Sequence, residues 1–248
     1  MKAVYPRLAF DGIRKNKRLY LPYILTCIGT VTMFYIIHHL AAMPALKSMP
    51  GGDSTVMILG LGVWVVAFFS LIFLVYTNSF LMRRRKKEFG LYNILGMGKK
   101  NLSLVLLFET LTVAAISVLS GIAAGIALSK LAESGLVYMV NGKVSYKFTV
   151  NVNAVLDTLL IFGGIFLLLY LKSLISIWRL NAISLIKSEN TGEKPPRANY
   201  VLGIGGIILL AAAYYMAVSI ESLLLAIGWF FIAVLAVIAG TYMIFISG

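Results

Sequence analysis

Long apolar stretches alternate with short polar segments along the whole chain. Six of these stretches hold about 20 mostly apolar residues, which is the length that an α-helix needs to cross a bilayer. The sequence therefore predicts an all-α integral membrane protein with six transmembrane helices. The spans are expected near residues 19–40, 56–82, 102–128, 154–171, 201–220 and 223–247.

The polar segment before the first span, residues 5–18, has a clear helical period. The residues of one face are apolar or small: Tyr5, Leu8, Ala9, Gly12 and Ile13. The opposite face is polar and mostly basic: Arg7, Asp11, Arg14, Lys15 and Arg18. This pattern predicts an interfacial amphipathic helix, an elbow whose apolar face lies in the lipid headgroup region. Its basic residues, Arg14 and Lys15 among them, would meet water and anionic lipid. A plain membrane anchor with no further role would show the same pattern.

Two other polar segments predict a hairpin and a boundary. Between the third and fourth spans, about residues 129–153, Asn141-Gly142 stands among alternating apolar residues, which is typical of a small β-hairpin. A polar linker with Pro and Gly, residues 189–200, is the best boundary. It separates a four-span unit, 1–188, from a two-span hairpin, 201–248.

Composition supports the membrane assignment, and the placement of charge gives the spans a direction. Of the 248 residues, 60% are hydrophobic and 12% are charged, about half the charged fraction of a soluble domain. The net charge is +13, and 18 of the 22 Lys and Arg residues lie before the first span, in the 83–100 loop or in the 172–200 loop. The positive-inside rule places these segments and the N-terminus in the cytoplasm, and makes the hairpin extracellular.

The one cysteine and the length of the first span argue against a disulfide framework and against a cleaved signal peptide. Cys27 lies inside the first span, so no disulfide framework is expected. The apolar run of the first span is longer than that of a signal peptide, although AAMPA at 41–45 resembles a cleavage site. An uncleaved signal-anchor span is the better interpretation.

The basic loop RRRKKEFGLYNILGMGKK, residues 83–100, resembles a phosphate-binding loop only superficially. A phosphate loop needs Gly where Asn93 stands and Ser or Thr where Lys100 stands. Topology accounts for the positive charge, so no nucleic-acid partner is expected. The apolar residues within the loop predict a short cytoplasmic helix that lies on lipid or docks in a partner's groove: Phe89, Leu91, Tyr92, Ile94 and Leu95.

Two acidic residues fall within the predicted spans. Glu109 lies about two turns into the third span, and Asp157 lies near the outer mouth of the fourth. Intramembrane carboxylates are costly and are candidates for function. For Glu109, the alternatives are a structural hydrogen bond to Ser, Thr or Tyr on a neighbouring helix or a role in gating, whereas Asp157 is expected to be solvated. No metal site is expected at His38 and His39, because no carboxylate or Cys clusters with them.

Three segments together resemble the FtsX-like permease family of ABC transporters. They are LAFDGIRKNKRLYLPYILT at 8–26, RRRKKEFGLYNILGMGKK at 83–100 and RLNAISLIKS at 179–188. Ala182 stands where the family pattern has proline, which leaves the turn there undetermined. Glu109 also falls where the family tends to carry a glutamate.

The short loop after the first span selects a branch of this family. A loop of about 15 residues, with EFGLYNILGMGKK after the second span, is similar to the bacitracin-resistance permeases of low-GC Gram-positive bacteria. Those proteins have ten spans and a large extracellular domain after the seventh. The chain is therefore expected to correspond to their N-terminal portion.

The resemblance implies a permease of the bacterial cell membrane that performs no covalent chemistry and holds no cofactor. ATP and magnesium would bind a separate dimeric ABC ATPase. The implied ATPase contacts are Glu88, Phe89, Leu91, Tyr92 and Leu95, with a second contact at Asn181, Ile183 and Leu185. A basic run would hold the loop at the lipid surface: Arg83, Arg84, Arg85, Lys86 and Lys87.

The resemblance also implies a substrate class and a second partner. The substrate would be a peptide antibiotic or its complex with a cell-wall lipid intermediate, and the partner a membrane histidine kinase. Two alternatives from other classes are a signalling or scaffold protein that binds the kinase without transport, and an intramembrane enzyme that uses Glu109 and Asp157.

Overall fold

The computed structural model describes residues 4–47, 51–139, 150–179, 200–219 and 223–247. Within these ranges the chain is helical, and no strand occurs. The helices are α1 (Val4–Lys15), α2 (Lys17–Ala41), α3 (Pro44–Lys47), α4 (Gly52–Ile94), α5 (Lys99–Met139), α6 (Val152–Trp178), α7 (Tyr200–Val218) and α8 (Leu223–Ser247). The chain forms two compact units, Met1–Ser188 and Glu189–Gly248.

Five of the described helices are long and apolar enough to cross a membrane. The qualifying segments are Lys17–Ala41, Gly52–Lys86, Lys99–Tyr138, Val152–Trp178 and Tyr200–Val218. Many of their large apolar side chains point outward, as with Trp64 and Leu119, which are 65% and 67% exposed. Such a surface is suited to lipid contact. The described apolar part of α8, Trp229–Phe245, is shorter, so the sixth span remains a prediction.

In the first unit, α2 lies at the centre of the bundle. It packs against α4, α5 and α6, and its inward residues form the middle of the apolar core. Cys27, Val31 and Phe34 of α2 are completely buried. Helix α1 packs mainly against α5.

Helices α4 and α5 are much longer than the spans predicted for them. With 43 and 41 residues, they extend for about 65 and 62 Å, roughly twice the hydrocarbon thickness of a bilayer. The short helix predicted after the second span is therefore not a separate element, because α4 runs unbroken through the basic residues to Ile94. Helix α5 likewise continues to Met139, past the predicted start of the outer loop.

A glycine ends α4 and allows the chain to turn into α5. Gly96 has φ +94°, a left-handed conformation that residues with a Cβ rarely adopt. The backbone N–H of Met97 donates to the carbonyl of Tyr92 at 2.9 Å, which closes the last turn. The two longest helices are thus joined by a tight turn.

Helices α2 and α5 approach each other closely where α5 carries two small residues. A Cβ built at Gly121 would lie 2.6 Å from Val31 Cβ, and one at Gly125 would lie 2.8 Å from Tyr35 Cδ1. The hydroxyl of Thr32 also donates to the carbonyl of Gly121 at 3.0 Å. Small residues permit this approach between membrane helices, and a backbone carbonyl strengthens it.

The second unit is a pair of packed helices, α7 and α8. A Cβ at Gly206 would lie 2.8 Å from the carbonyl oxygen of Gly240, so the two backbones are in direct contact.

Two features predicted from the sequence lie outside the described residues. The Asn141-Gly142 hairpin is one, and nearly all of the 189–200 linker is the other.

Candidate functional site

The buried face of α4 continues through the basic run. Asn78, Met82, Arg85 and Phe89 are spaced by four, three and four residues, so they share one side of the helix, and all four are buried. Arg83 and Arg84 are exposed. Among the four residues of the basic run whose side chains are described, Arg83 to Lys86, only Arg85 is buried.

Arg85 is 2% exposed and lies between two carboxylates. Its Nη2 is 3.0 Å from Oε1 of Glu109 on α5, and its Nη1 is 3.2 Å from Oε2 of Glu88 on α4. The guanidinium also lies over two aromatic rings, 5.0 Å from the centroid of Phe89 and 5.6 Å from that of Tyr20. A charge this deeply buried is tolerated because it is paired.

Glu109 links this ion pair to α2. It is also 2% exposed, and its Oε1 accepts a hydrogen bond from the hydroxyl of Tyr20. A hydrogen bond from Tyr on a neighbouring helix was one of the alternatives for Glu109. The structure shows that hydrogen bond, from Tyr20, and an ion pair with Arg85 as well. We call Tyr20, Arg85, Glu88 and Glu109 the buried network.

Helix α1 covers the buried network through a residue without a side chain. A Cβ at Gly12 would lie 3.2 Å from Arg85 Nη1 and 3.4 Å from Glu109 Oε1. At the end of α1, Asn16 Nδ2 donates to Glu88 Oε1 at 2.9 Å. The small and apolar face of α1 therefore packs on protein. This corrects the expectation that the face lies among lipid headgroups.

The arginine keeps unused hydrogen-bonding capacity. Its Nε and Nη1 are buried and have no hydrogen-bond acceptor of good geometry among the described residues. The contact between Nη1 and Glu88 is accordingly an ion pair rather than a well-aligned hydrogen bond. Arg85 is therefore held mainly by charge.

The structure separates the predicted ATPase contacts into buried and exposed residues. Phe89 is completely buried, packed with Met82, Leu102, Leu106 and Ile177, so its prediction as a contact with another protein is corrected. Tyr92 is partly buried against the same cluster. Leu91 and Leu95 are 56% and 73% exposed, and the Glu88 side chain is 37% exposed.

The predicted lipid-surface residues separate in a similar way. Arg85 belongs to the interior, so its assignment to the lipid surface is corrected. The others that the structure describes are exposed or half-buried: Arg14, Lys15, Arg83, Arg84 and Lys86. The side chain of Lys87 and the second predicted contact, formed by Asn181, Ile183 and Leu185, lie outside the described residues.

Asp157, the second intramembrane candidate, differs from Glu109. Its side chain is 53% exposed, and its Oδ2 lies 3.0 Å from Nε2 of His38 on α2. The described residues contain no cluster of three or more His, Cys, Asp or Glu side chains that could hold a metal ion.

Gly12, Asn16 and Tyr20 are members or neighbours of the site that the sequence analysis did not assign to it. They recur every four residues along α1 and the start of α2, which places them on one side of that segment. This spacing predicts that the three residues share one side, but it does not predict Glu109 as their partner.

Comparison with known proteins identifies the family. A family model described as FtsX-like permease C-terminal matches residues 60–185, just over half of the chain. The chain belongs to the FtsX-like permease family. The matched region contains Arg85, Glu88 and Glu109 of the buried network, whereas Tyr20 lies before it.

Curated relatives of this FtsX-like chain are ABC transporter permeases. It is 28% identical over 240 residues to the uncharacterized ABC transporter permease YvcS of Bacillus subtilis (strain 168), covering 96% of this chain and 37% of that protein. It is 26% identical over 215 residues to the bacitracin export permease protein BceB of the same organism, covering 85% and 33%. With BceB of Halalkalibacterium halodurans the identity is 24% over 248 residues, covering 95% and 38%.

These matches confirm the resemblance to the family and to its bacitracin-resistance branch. The chain spans about a third of the length of these curated relatives. The helices and relatives together identify a multi-pass membrane protein.

Proposed function

We propose that this chain acts as permease in an ABC transporter and receives the motion of a separate ATPase at the basic end of its first unit. By basic end we mean the side of the bundle where α4 passes into α5. The observation that carries the proposal is the continuity of α4, which runs from an apolar span to an exposed apolar end without a break.

The exposed end of α4 suits a protein contact. Leu91, Ile94 and Leu95 are 56%, 54% and 73% exposed, at the end of a helix beyond the span that ends at Lys86. Three neighbouring apolar side chains outside the apolar span fit a groove on a partner. They replace the buried Phe89 as the proposed contact surface.

The buried network would distribute movement from this end into the bundle. Arg85 lies six residues before Leu91 on the same rigid helix and pairs with Glu109 on α5. Glu109 in turn binds Tyr20 on α2. A displacement of the α4 end therefore acts on three helices at once.

The proposed partners and substrate rest on membership of the family. ABC permeases imply a partner ATPase, so we place ATP hydrolysis on that dimeric subunit with its ATP and magnesium. Because relatives include two bacitracin export permeases, we assign peptide antibiotics, free or bound to a cell-wall lipid intermediate, as the substrate class. A membrane histidine kinase is the proposed second partner, and the bacterial cell membrane the location.

The ATPase contact is tested by copurification. Leu91→Ala combined with Leu95→Ala should reduce recovery of the coexpressed cognate ATPase at least tenfold, because both exposed side chains leave the contact. The matched control is Leu156→Ala with Leu160→Ala, the same change at two exposed leucines of α6 four residues apart. Equal ATPase recovery from the two double variants would refute the contact.

The proposed orientation places the basic end in the cytoplasm. In intact cells, a membrane-impermeant maleimide should label Val150→Cys but label Leu95→Cys only after permeabilisation. Both positions are exposed, and the native Cys27 is completely buried and should stay unlabelled. The reverse labelling pattern would place the basic end outside and exclude an ATPase there.

A further inference from the structure

A polar cavity opens between α4 and α6, separate from the buried network. Its volume is about 330 Å³, within the range of about 300–1,000 Å³ that is usual for ligand pockets. Its described lining includes three cations and no carboxylate: Arg83, Lys86 and Lys172, with Asn78, Ser79 and Ser176.

The cavity is built by hydrogen bonds between the two helices. Lys172 Nζ donates to Ser79 Oγ at 2.7 Å, and Asn78 Nδ2 donates to the buried Ser173 Oγ at 2.8 Å. These bonds hold the hydroxyls and the ammonium group at the cavity wall. The three cations of this lining are suited to the oxygens of a phosphate group.

The position of the cavity fits the headgroup level of a membrane. Lys172 lies about 30 Å along α6 from Val152, which is about the thickness of the hydrocarbon core. About one helical turn from the cavity, toward the end of the bundle opposite the basic end, both helices carry exposed apolar residues on the same sides. Leu168 of α6 is 51% exposed and Tyr76 of α4 is 65% exposed. A polar cavity beside an exposed apolar strip matches a molecule with an anionic head and an acyl chain.

We propose that this cavity binds the phosphate headgroup of an anionic phospholipid from the leaflet at the basic end. Arg83, Lys86 and Lys172 contact the phosphate, and the acyl chains lie along Leu168 and Tyr76. Basic pockets between membrane helices recognise anionic headgroups, and the three cations repel the amine of a zwitterionic lipid. The site is independent of any ATPase contact.

The test measures lipid binding by the full-length protein. The delipidated protein in detergent micelles is titrated with dioleoylphosphatidylglycerol or dioleoylphosphatidylcholine, and bound lipid is counted by native mass spectrometry. The wild type should bind phosphatidylglycerol at least tenfold more tightly. Arg83→Ala with Lys172→Ala should weaken this binding about tenfold or more, because two cations leave the cavity.

The control removes the same charge outside the cavity, from α4 and from the residue that directly follows α6. Arg84→Ala with Arg179→Ala should change the apparent Kd less than twofold, and Lys172→Arg should retain binding. An equal loss in both double variants would show only diffuse attraction and would overturn the site. Displacement of the lipid by millimolar inorganic phosphate or glycerol 3-phosphate would also overturn it, since the cavity would then take free phosphate.

Discussion

Helices α2 and α5 are joined in two different ways along their length. Toward the basic end, the contact is polar, since Tyr20 binds Glu109 and Arg85 pairs with the same carboxylate. Toward the opposite end, the helices approach closely at Gly121 and Gly125, which face Val31 and Tyr35 of α2. The polar contact can exchange partners, because one arginine serves two carboxylates, whereas the glycine contact has only one close-packed geometry. The difference suggests that α2 and α5 can shift against each other at the basic end and are held together at the other.

The largest expected effect comes from breaking the buried network. Arg85→Ala should lower the free energy of unfolding by about 3–5 kcal/mol, because it leaves Glu109 buried without its cation. The measurement is unfolding by sodium dodecyl sulfate in mixed micelles, followed by circular dichroism.

A neighbouring arginine supplies the control for this measurement. Arg84→Ala removes an exposed charge that lies 5.5 Å from the Phe80 ring, and should cost less than about 1 kcal/mol. The double variant Arg85→Met with Glu109→Gln should recover much of the loss, since neither buried charge then remains. Similar losses at Arg84 and Arg85 would contradict the buried assignment.

A smaller effect is expected at the glycine contact. Gly121→Ala should destabilise the protein by about 1–3 kcal/mol, because its Cβ would lie 2.6 Å from Val31 Cβ. Gly163→Ala is the matched control: no atom lies within 4 Å of its Cβ, and alanine there should gain up to about 1 kcal/mol. The same unfolding assay distinguishes them, and a stabilising Gly121→Ala would show that the helices are not in close contact.

The smallest effect belongs to the contact between Asp157 of α6 and His38 of α2. Asp157→Asn should change the free energy of unfolding by less than about 1 kcal/mol, because the carboxylate is 53% exposed and solvent screens its attraction to His38. A loss as large as that of Arg85→Ala would mean that this pair is as deeply desolvated as the buried network.

The sequence predicted the helices but not all their ends. Apolar runs locate the spans, but the charged residues after the second span do not end its helix, which continues to Ile94. The period of α4 carries the missing information, since Arg85 follows Asn78 by seven residues and precedes Phe89 by four. Composition alone cannot distinguish Arg85 from Arg84, although their surroundings differ completely.

The partners of the buried network could not be predicted in the same way. Tyr20 and Glu109 are 89 residues apart, and Gly12 reaches them only because α1 folds back over α5. Periodicity reports which side of a helix is buried, but not which residue of another helix will meet it. An intramembrane carboxylate does indicate that some partner exists, and Glu109 was recognised on that ground.

The unbroken length of α4 also has a mechanical consequence. Arg85, tied to α5, lies about 14 Å from the Ile94 end of the helix and about 50 Å from Gly52. If this tie serves as a fulcrum, the two arms differ by a factor of about 3.5. A sideways push of about 1 Å at Ile94 then swings the far tip by about 3.5 Å in the opposite direction, so a small stroke at one membrane face becomes a large one at the other.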